Sequence, residues 1–300
     1  MSDDKFGSWC SGIGGADEGV YGLAIPTFGY ELDSNLVIIG QANHSHIKQR
    51  DVTLIPSSDY KFVNIFHISP PCQSFSRANN SNATKGEKIE DINIAEHVAH
   101  YIAMVNPDFV TVENVGEYAG SKSFKIITEQ LFSQYTNVNV EVLNFKHYGL
   151  PQNRRRLIIR ASNRKLTELQ KKPPVGWYKA LEGSLDSLVE VIPTKKDYQI
   201  LQDYGDTDTV LYTTRNGKAK NAVRQVWEVA PTVLSTQWKG DMKVYKEGKV
   251  YKLQPKHYGI LQSFPIYYRY STKIDSIIGI GNAVPPLIYR QILENYYDGS

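Results

Sequence analysis

Over the first 160 residues, short apolar runs alternate with longer segments whose apolar residues recur every three or four positions. The runs "KFGSWC", "GYELD", "VNIFHIS", "FVTVENV" and "NVEVLNF" are brief, rich in strand formers and bounded by turn residues, so each predicts a strand. "VNIFHIS" is the third or fourth of the series. Between these runs, Ile92, Ala95, Ala99 and Ile102 share one helical face, and Phe124, Ile127, Leu131 and Tyr135 share another. Such alternation predicts a mostly parallel sheet with helices on both faces, whose sites lie beyond the carboxyl ends of the strands. The loop at Gly12, Cys72 and Glu113 all fall at such ends.

The pattern changes after "RRRLIIRAS". Pro173-Pro174, an acidic irregular stretch and short β-like runs ("TVLYTTR", "KVYKEGKVYKL") predict a second module, rich in strands and loops. The tail "GIGNAVPPLIYRQILENYY" predicts a strand or turn leading into an amphipathic helix, with Val284-Pro285-Pro286 at its start. The expected division is residues 1–170 with 282–300, then 171–253, with 254–281 as a hinge.

A chain of 300 residues, 41% hydrophobic, can bury a large core, which excludes a disordered or fibrous protein. No run of eighteen apolar residues occurs and the start, "MSDDKFGSW", is polar, so an intracellular protein without a membrane span is expected. Two cysteines, Cys10 and Cys72, exclude a disulfide scaffold and leave a reduced thiol for chemistry. Small buried hydrophobes are the plainer role for both. Net charge is +3 but unevenly spread: residues 182–208 hold seven acids against two lysines, and 215–252 hold nine Lys/Arg against three acids. That second stretch also holds Trp227, Trp238, Tyr245 and Tyr251, with Tyr212 just ahead of it, a composition that suits a polyanion with stackable bases, or simply a solvated face.

"CSGIGGADEG" is a glycine-rich turn suited to close approach of a ligand to the backbone, although it does not complete a GxGxxG pattern. Glu31 ends the second strand, where an acid commonly takes ribose hydroxyls, and Asp51 could accept from an adenine amino group; each is also readable as an ordinary loop acid. Cys72 has more telling company. A thiol needs a rigid mount and cationic or dipolar help to act as a nucleophile, and Pro70-Pro71 fix the backbone ahead of it. Glu113 ends a neighbouring strand. Arg154 and Arg156, two apart on a strand, are expected to face the same side and to hold a carboxylate, carbonyl or phosphate. The pairs His44/His46 and His97/His100 lack partners in ligand-like number, so no metal is expected.

The ordered set "CSGIGG", "ELD", "RDVT", "PPCQSFS", "ENV", "YGLPQNRRR", "APTV", "LQSFP" and "GNAVPP" resembles the motif series of bacterial and phage cytosine-C5 DNA methyltransferases, from about residue 6 to residue 292. The resemblance implies a Rossmann-like, S-adenosylmethionine-dependent α/β fold with a smaller target-recognition domain. It assigns Gly12, Ile13, Gly14, Gly15, Glu31, Asp51, Pro71, Asn282 and Val284 to the cofactor. Cys72 becomes the nucleophile, Glu113 the acid at cytosine N3 and Arg156 the donor at O2, with Gln152 and Arg154 in support. Ser76 and Arg77, in the polar segment after Cys72 expected to close over a flipped base, become DNA contacts. So do Arg215, Asn216, Lys218, Lys220, Asn221, Arg224 and Thr232. Where the family usually has phenylalanine against the adenine, this chain has Cys10, for which Trp9 is the available substitute.

The implied function is methyl transfer to carbon 5 of a flipped-out cytosine in a specific double-stranded DNA sequence, through a covalent cysteine adduct, with S-adenosylhomocysteine as product. A monomer is implied, without membrane association, in the cytoplasm of a bacterium or a phage-infected host. A cognate restriction endonuclease would act separately. The alternatives are a tRNA-directed cytosine-C5 methyltransferase, whose Cys-Phe-Thr signature is missing, and a catalytically silent DNA-binding relative. A nicotinamide dehydrogenase explains neither "PPCQ" nor "QNRRR".

Overall fold

The strand–helix alternation becomes a seven-stranded sheet in a computed structural model that describes residues 2–75, 86–214 and 223–299. Its strands are β1 (Lys5–Trp9), β2 (Ile25–Glu31), β3 (Ile47–Gln49), β4 (Ile65–Ile68), β5 (Phe109–Asn114), β6 (Asn137–Asn144) and β7 (Arg155–Ser162). In space they run β3-β2-β1-β4-β5-β7-β6, all pairs parallel except those of β7, which is antiparallel to β5 and β6. "VNIFHIS" is thus the fourth strand, because the brief "IKQ" of β3 comes before it.

One rung crosses the sheet through Tyr30, Trp9, Ile68, Val112 and Ile159, and the Gly12 loop, Cys72 and Glu113 lie just beyond it. The rung side chains point to one face. There they pack with Ala95, Val98, Tyr101 and Ile102 of one helix (Ile89–Val105) and Ile127 and Leu131 of another (Lys122–Gln134). The stripe on Ile89–Val105 is turned slightly from the predicted one: Val98 and Tyr101 are buried where Ile92 and Ala99 are half-buried. The helix Lys122–Gln134 begins at Ser121, whose hydroxyl accepts from Phe124 N at 2.9 Å. On the opposite face sit Ser8, His67, Thr111 and Arg160. They are met by Asp17 of a short helix (Gly15–Gly19) and by Tyr289 and Asn295 of the C-terminal helix (Pro286–Asp298). That last helix begins at Pro286, as predicted, since a proline at the first position loses no hydrogen bond.

Met1–Asn144, Arg155–Gln170 and Pro286–Ser300 make up this unit; Phe145–Arg154 and Lys171–Pro285 form a second. By packing, residues 254–281 join 171–253 instead of standing apart as a hinge, and so does 145–154. The second unit is built on a five-stranded antiparallel sheet with β8 (Val189–Val191), β9 (Val210–Thr213), β10 (Val223–Gln225), β11 (Met242–Lys246) and β12 (Lys249–Lys252), in the order β10-β9-β11-β12-β8. "KVYKEGKVYKL" is the hairpin β11–β12, turned at Glu247-Gly248 with φ of 53° and 74°, the left-handed pair that a two-residue hairpin turn requires. "GIGN" is not a strand or loose turn but the end of a helix (Lys273–Asn282). Glycine is needed there for space: a Cβ on Gly281 would collide with the backbone of Leu234 and Ser235.

Candidate functional site

The glycine-rich turn leaves β1 and is pinned to the end of β2. Ser11 N donates to Tyr30 O at 3.0 Å, and Gly12 N donates to Glu31 Oε2 at 2.8 Å. Glu31 Oε1 accepts from Leu32 N and Asp33 N at 2.8 and 2.9 Å, so the acid expected to meet a ribose also shapes the loop. Gly12 and Gly14 have φ of 56° and 86°; a Cβ on Gly14 would come within 2.5 Å of the His44 ring, whereas around Gly12 there is open space. Ile13 is fully buried, and Gly15 opens the short helix that follows. Asp51, two residues past β3, caps a single turn (Val52–Leu54), accepting from Thr53 N at 2.9 Å and Thr53 Oγ1 at 2.7 Å.

Cys10 stands beside this loop with a left-handed φ of 53°. Burial first, and then the carboxylates of Glu31 and Asp51, push its thiol well above the ordinary cysteine range. It is therefore no rival to Cys72 as a nucleophile. Trp9 does not substitute for an aromatic residue at this position. Its ring is fully buried against Phe66, Tyr101 and Tyr60, with centroids 5.4, 4.7 and 6.1 Å away.

Cys72 lies four residues beyond β4 and is half-buried. Its turn is held at several points. Ser69 N donates to Trp9 O at 3.4 Å, Phe75 N donates to Cys72 O at 3.1 Å, and Asn114 Nδ2 donates to Pro70 O at 3.0 Å. The Phe75 ring packs edge-on to buried Tyr118 at 5.1 Å. Glu113 pairs with Ile158 across β5–β7, which puts its side chain on the face that Arg156 shares. Arg156 Nε lies 3.0 Å from Glu113 Oε1, an ion pair without hydrogen-bond alignment, and that buried oxygen accepts no hydrogen bond. Arg156 Nη1 donates to Arg155 O at 2.8 Å. A thiol on a fixed turn, a buried carboxyl and a guanidinium thus stand at the ends of neighbouring strands, beside a glycine loop with two acids.

A sequence profile of C-5 cytosine-specific DNA methylases matches residues 5–298. The chain belongs to this family. It is 26% identical to the type II methyltransferase M.Bsp6I of Bacillus sp. (strain RFL6), over 98% of both chains. It is also 26% identical to M1.HphI of Haemophilus parahaemolyticus, over 81% of this chain and 71% of that one. Its fold resembles that of a prophage-encoded E. coli chain described as a DNA modification methyltransferase (TM-score 0.73, 18% identity, 99% of both chains covered). It also resembles the S. pombe Dnmt2 methyltransferase (TM-score 0.68, 14% identity, 98% of both). The Rossmann-like fold is that of these methyltransferases.

Within this cytosine-C5 methylase, Gln152 and Arg154 take a different place from the one expected. Arg154 precedes β7 rather than sharing the strand with Arg156, and it is fully buried in the second unit. Its guanidinium donates to the carbonyls of Val233, Gly281 and Ala283 at 3.3, 3.1 and 3.0 Å. Gln152 Oε1 accepts from Val233 N at 3.0 Å, while its amide donates to Leu261 O at 2.9 Å and to Gln262 Oε1. Thr232 Oγ1 donates to Asn153 O. "PQNR", "APTV", "LQSF" and "GNAV", far apart in sequence, are thus tied into one buried knot. Asn282 closes the helix Lys273–Asn282 and Val284 is buried just after it, both in the second unit.

Of the DNA candidates, Arg224 lies on β10 and donates to Val223 O at 2.9 Å. Ser76, Arg77, Arg215, Asn216, Lys218, Lys220 and Asn221 lie outside the described residues. Among the aromatics read as stacking surfaces, Tyr212 and Tyr245 belong to the core of the five-stranded sheet, and Trp227, 73% exposed, is the one most open to solvent. Sequence reasoning passed over Asn114 and His67, although their adjacency to Glu113 and to the "SPPC" turn was a usable signal. His44 Nε2 lies 3.4 Å from Glu18 Oε2 and His46 Nε2 2.7 Å from Asp17 Oδ1.

Proposed function

We propose that this methylase transfers a methyl group from S-adenosylmethionine to carbon 5 of a cytosine flipped out of double-stranded DNA of defined sequence, through a transient bond between Cys72 and the ring. The observation that carries the reading is the Glu113–Arg156 pair at 3.0 Å, next in the sheet to the turn that mounts Cys72. Carbon 5 of cytosine is too weak a nucleophile to take a methyl group unaided. Addition of the Cys72 thiolate to C6 forms an S–C6 bond and shifts the C5–C6 π pair to C5, with charge developing toward N3 and O2. The Glu113 carboxyl supplies a proton or hydrogen bond toward N3, and Arg156 donates toward O2. After transfer the C5 proton passes to water, its C–H pair restores the C5–C6 double bond, and the C6–S bond breaks to release Cys72 as the thiolate.

The residues present fit S-adenosylmethionine. Gly12 has open space above its Cα, and the exposed side chains of Leu32 and Leu54, 61% and 78% accessible, flank Glu31 and Asp51 as apolar surface for a purine. An ionised carboxylate has about four lone-pair sites, so Glu31 can serve ribose hydroxyls while holding Gly12 N. When bound, the cofactor supplies an electrophilic methyl carbon and leaves as S-adenosylhomocysteine. Gly12, Ile13, Gly14, Gly15, Glu31, Asp51 and Pro71 would hold it; Asn282 and Val284, which the resemblance also assigns to the cofactor, belong to the second unit. That unit is the target reader in this proposal, with Arg224 among its DNA contacts. Among the described residues no helix is long and apolar enough to cross a membrane. A monomer working in a bacterial or phage-infected cytoplasm, with any partner endonuclease acting separately, completes the reading.

Bisulfite sequencing of unmethylated plasmid incubated with the protein and S-adenosylmethionine tests it. Protected cytosines at one recurring sequence are expected. No protection on DNA, with 5-methylcytosine appearing in tRNA instead, would overturn it in favour of the tRNA-directed alternative.

A further inference from the structure

His67 lies on β4, five residues ahead of Cys72, and is buried at 3% exposure where the strand pattern asks only for an apolar side chain. Both ring nitrogens are in use. Nδ1 is 2.8 Å from Thr111 Oγ1 and Nε2 is 2.9 Å from Ser69 Oγ. Thr111 is in turn 3.1 Å from the hydroxyl of buried Tyr289, whose ring meets the imidazole edge-on at 4.7 Å. A line of hydrogen bonds therefore runs from the C-terminal helix through the middle of the sheet to Ser69, the residue that opens the "SPPC" turn. None of these groups has a role in the transfer chemistry.

The protonation of the ring follows from its surroundings. Burial lowers the His67 pKa to about 4 against a weaker opposing pull from Asp17, so the imidazole is neutral at physiological pH. A neutral imidazole offers one donor and one acceptor, so one of its two hydroxyl partners donates and the other accepts. Ser69 Oγ thereby gains a defined direction. Pro70 and Pro71 then transmit the orientation of Ser69 to Cys72, because their rings leave little backbone freedom between the two.

We infer that His67 is a positioning residue for the nucleophile: through Ser69 it sets the angle at which the proline-fixed turn presents the Cys72 thiol. It acts at the start of the turn, while Asn114 grips the Pro70 carbonyl from β5. Histidine, unlike an apolar residue, bridges Thr111 and Ser69 from this position with both ring nitrogens engaged. The inference deepens the proposed function and rests on it.

The test compares His67→Leu, Ser69→Ala, the double variant and His67→Gln, whose amide can still reach Ser69. Two measurements are made: the single-turnover rate of tritiated methyl incorporation into unmethylated plasmid at saturating S-adenosylmethionine, and the alkylation rate of Cys72 by iodoacetamide, read by peptide mass spectrometry. Expected are a loss of up to about a hundredfold in single-turnover rate for His67→Leu and Ser69→Ala, the scale for a misplacement of about 1 Å. The double variant should be no worse than either single, His67→Gln should recover most of the rate, and S-adenosylmethionine affinity should stay within about twofold of wild type, as uniform binding is untouched. Wild-type rates in Ser69→Ala, losses that multiply in the double variant, or an effect confined to cofactor affinity would overturn the inference. Ser69 is half-buried, so its alanine variant decides the matter if His67→Leu does not fold. The alkylation rate needs no DNA: a changed Cys72 rate in a series whose wild type leaves DNA unmethylated would uphold the positioning role and sink the DNA reading alone.

Discussion

Asn114 Nδ2 donates to the carbonyl of Pro70 at 3.0 Å, so the residue directly after the acid Glu113 holds the turn that carries Cys72. Asn114 is buried, and its own Oδ1 accepts from Val115 N at 2.8 Å. One amide thus ties the ends of β4 and β5 together. Asn114→Asp removes the donor and sets an acceptor against the Pro70 carbonyl. It should lower stability by about 1–3 kcal/mol, the penalty for an unsatisfied buried polar group, and lower the methylation rate with it. Thermal unfolding alongside single-turnover kinetics reads both; unchanged values for each would remove the tie.

Glu113→Gln keeps the shape beside Arg156 but removes the proton that the carboxyl offers to N3. The rate at saturating substrates should fall by roughly 10²–10⁴, the usual contribution of a positioned acid or base, while DNA and cofactor affinities change little. A change seen only in the Michaelis constants would count against this role.

Asp51 caps the turn Val52–Leu54, and in the proposed function it also accepts from the adenine amino group. Asp51→Asn preserves the cap, since asparagine caps as well as aspartate, and removes the charge. Calorimetry should show weaker S-adenosylmethionine binding by about 1–3 kcal/mol, with the melting temperature unchanged. A drop in melting temperature at full affinity would assign Asp51 to structure alone.

The alternation of strands and helices, and the gathering of Cys72, Glu113 and the glycine loop at strand ends, were legible because period and turn chemistry are local. β3 was not, because three residues carry no period. Arg154 was misplaced because its two-residue spacing from Arg156 was taken for strand continuity. The chain enters β7 only at Arg155, and the Arg154 guanidinium turns to three carbonyls that only the folded second unit brings together. "GIGN" read as a breaker because glycine is costly in an isolated helix. The close approach of Leu234 and Ser235 to Gly281, which makes glycine necessary, is a tertiary fact. Tyr212 and Tyr245 likewise looked available for stacking until the pairing of β9 with β11 buried them.

The second unit contains a buried ion pair, with Lys243 Nζ at 2.6 and 2.8 Å from the two Asp197 oxygens and Tyr212 OH at 2.9 Å. Burial alone would raise the Asp197 pKa, but hydrogen bonds from Lys243, Thr194 and Tyr212 outweigh it and hold the carboxyl below its ordinary range. A depressed folded pKa contributes stability that is present above the unfolded value of about 3.9 and is lost as pH falls through the folded one. Lys243→Met strands the carboxylate and should destabilise this unit by about 3–5 kcal/mol near pH 7. In that variant the largest lowering influence is gone while burial still opposes the charge, so acidification relieves the strain and the gap to wild type narrows toward pH 4. Urea unfolding by tryptophan fluorescence reads this unit, which holds three of the four tryptophans, Trp177, Trp227 and Trp238. A gap independent of pH would contradict the assignment.

Trapping on DNA that carries 5-fluorocytosine tests the central claim most directly, because fluorine at C5 cannot leave as a proton does and the S–C6 bond persists after methyl transfer. With S-adenosylmethionine present, the wild-type protein should form a denaturation-resistant complex whose modified peptide contains Cys72, and Cys72→Ala should form none while still binding the cofactor. Equal trapping of Cys72→Ala, or a trapped peptide that lacks Cys72, would contradict the account.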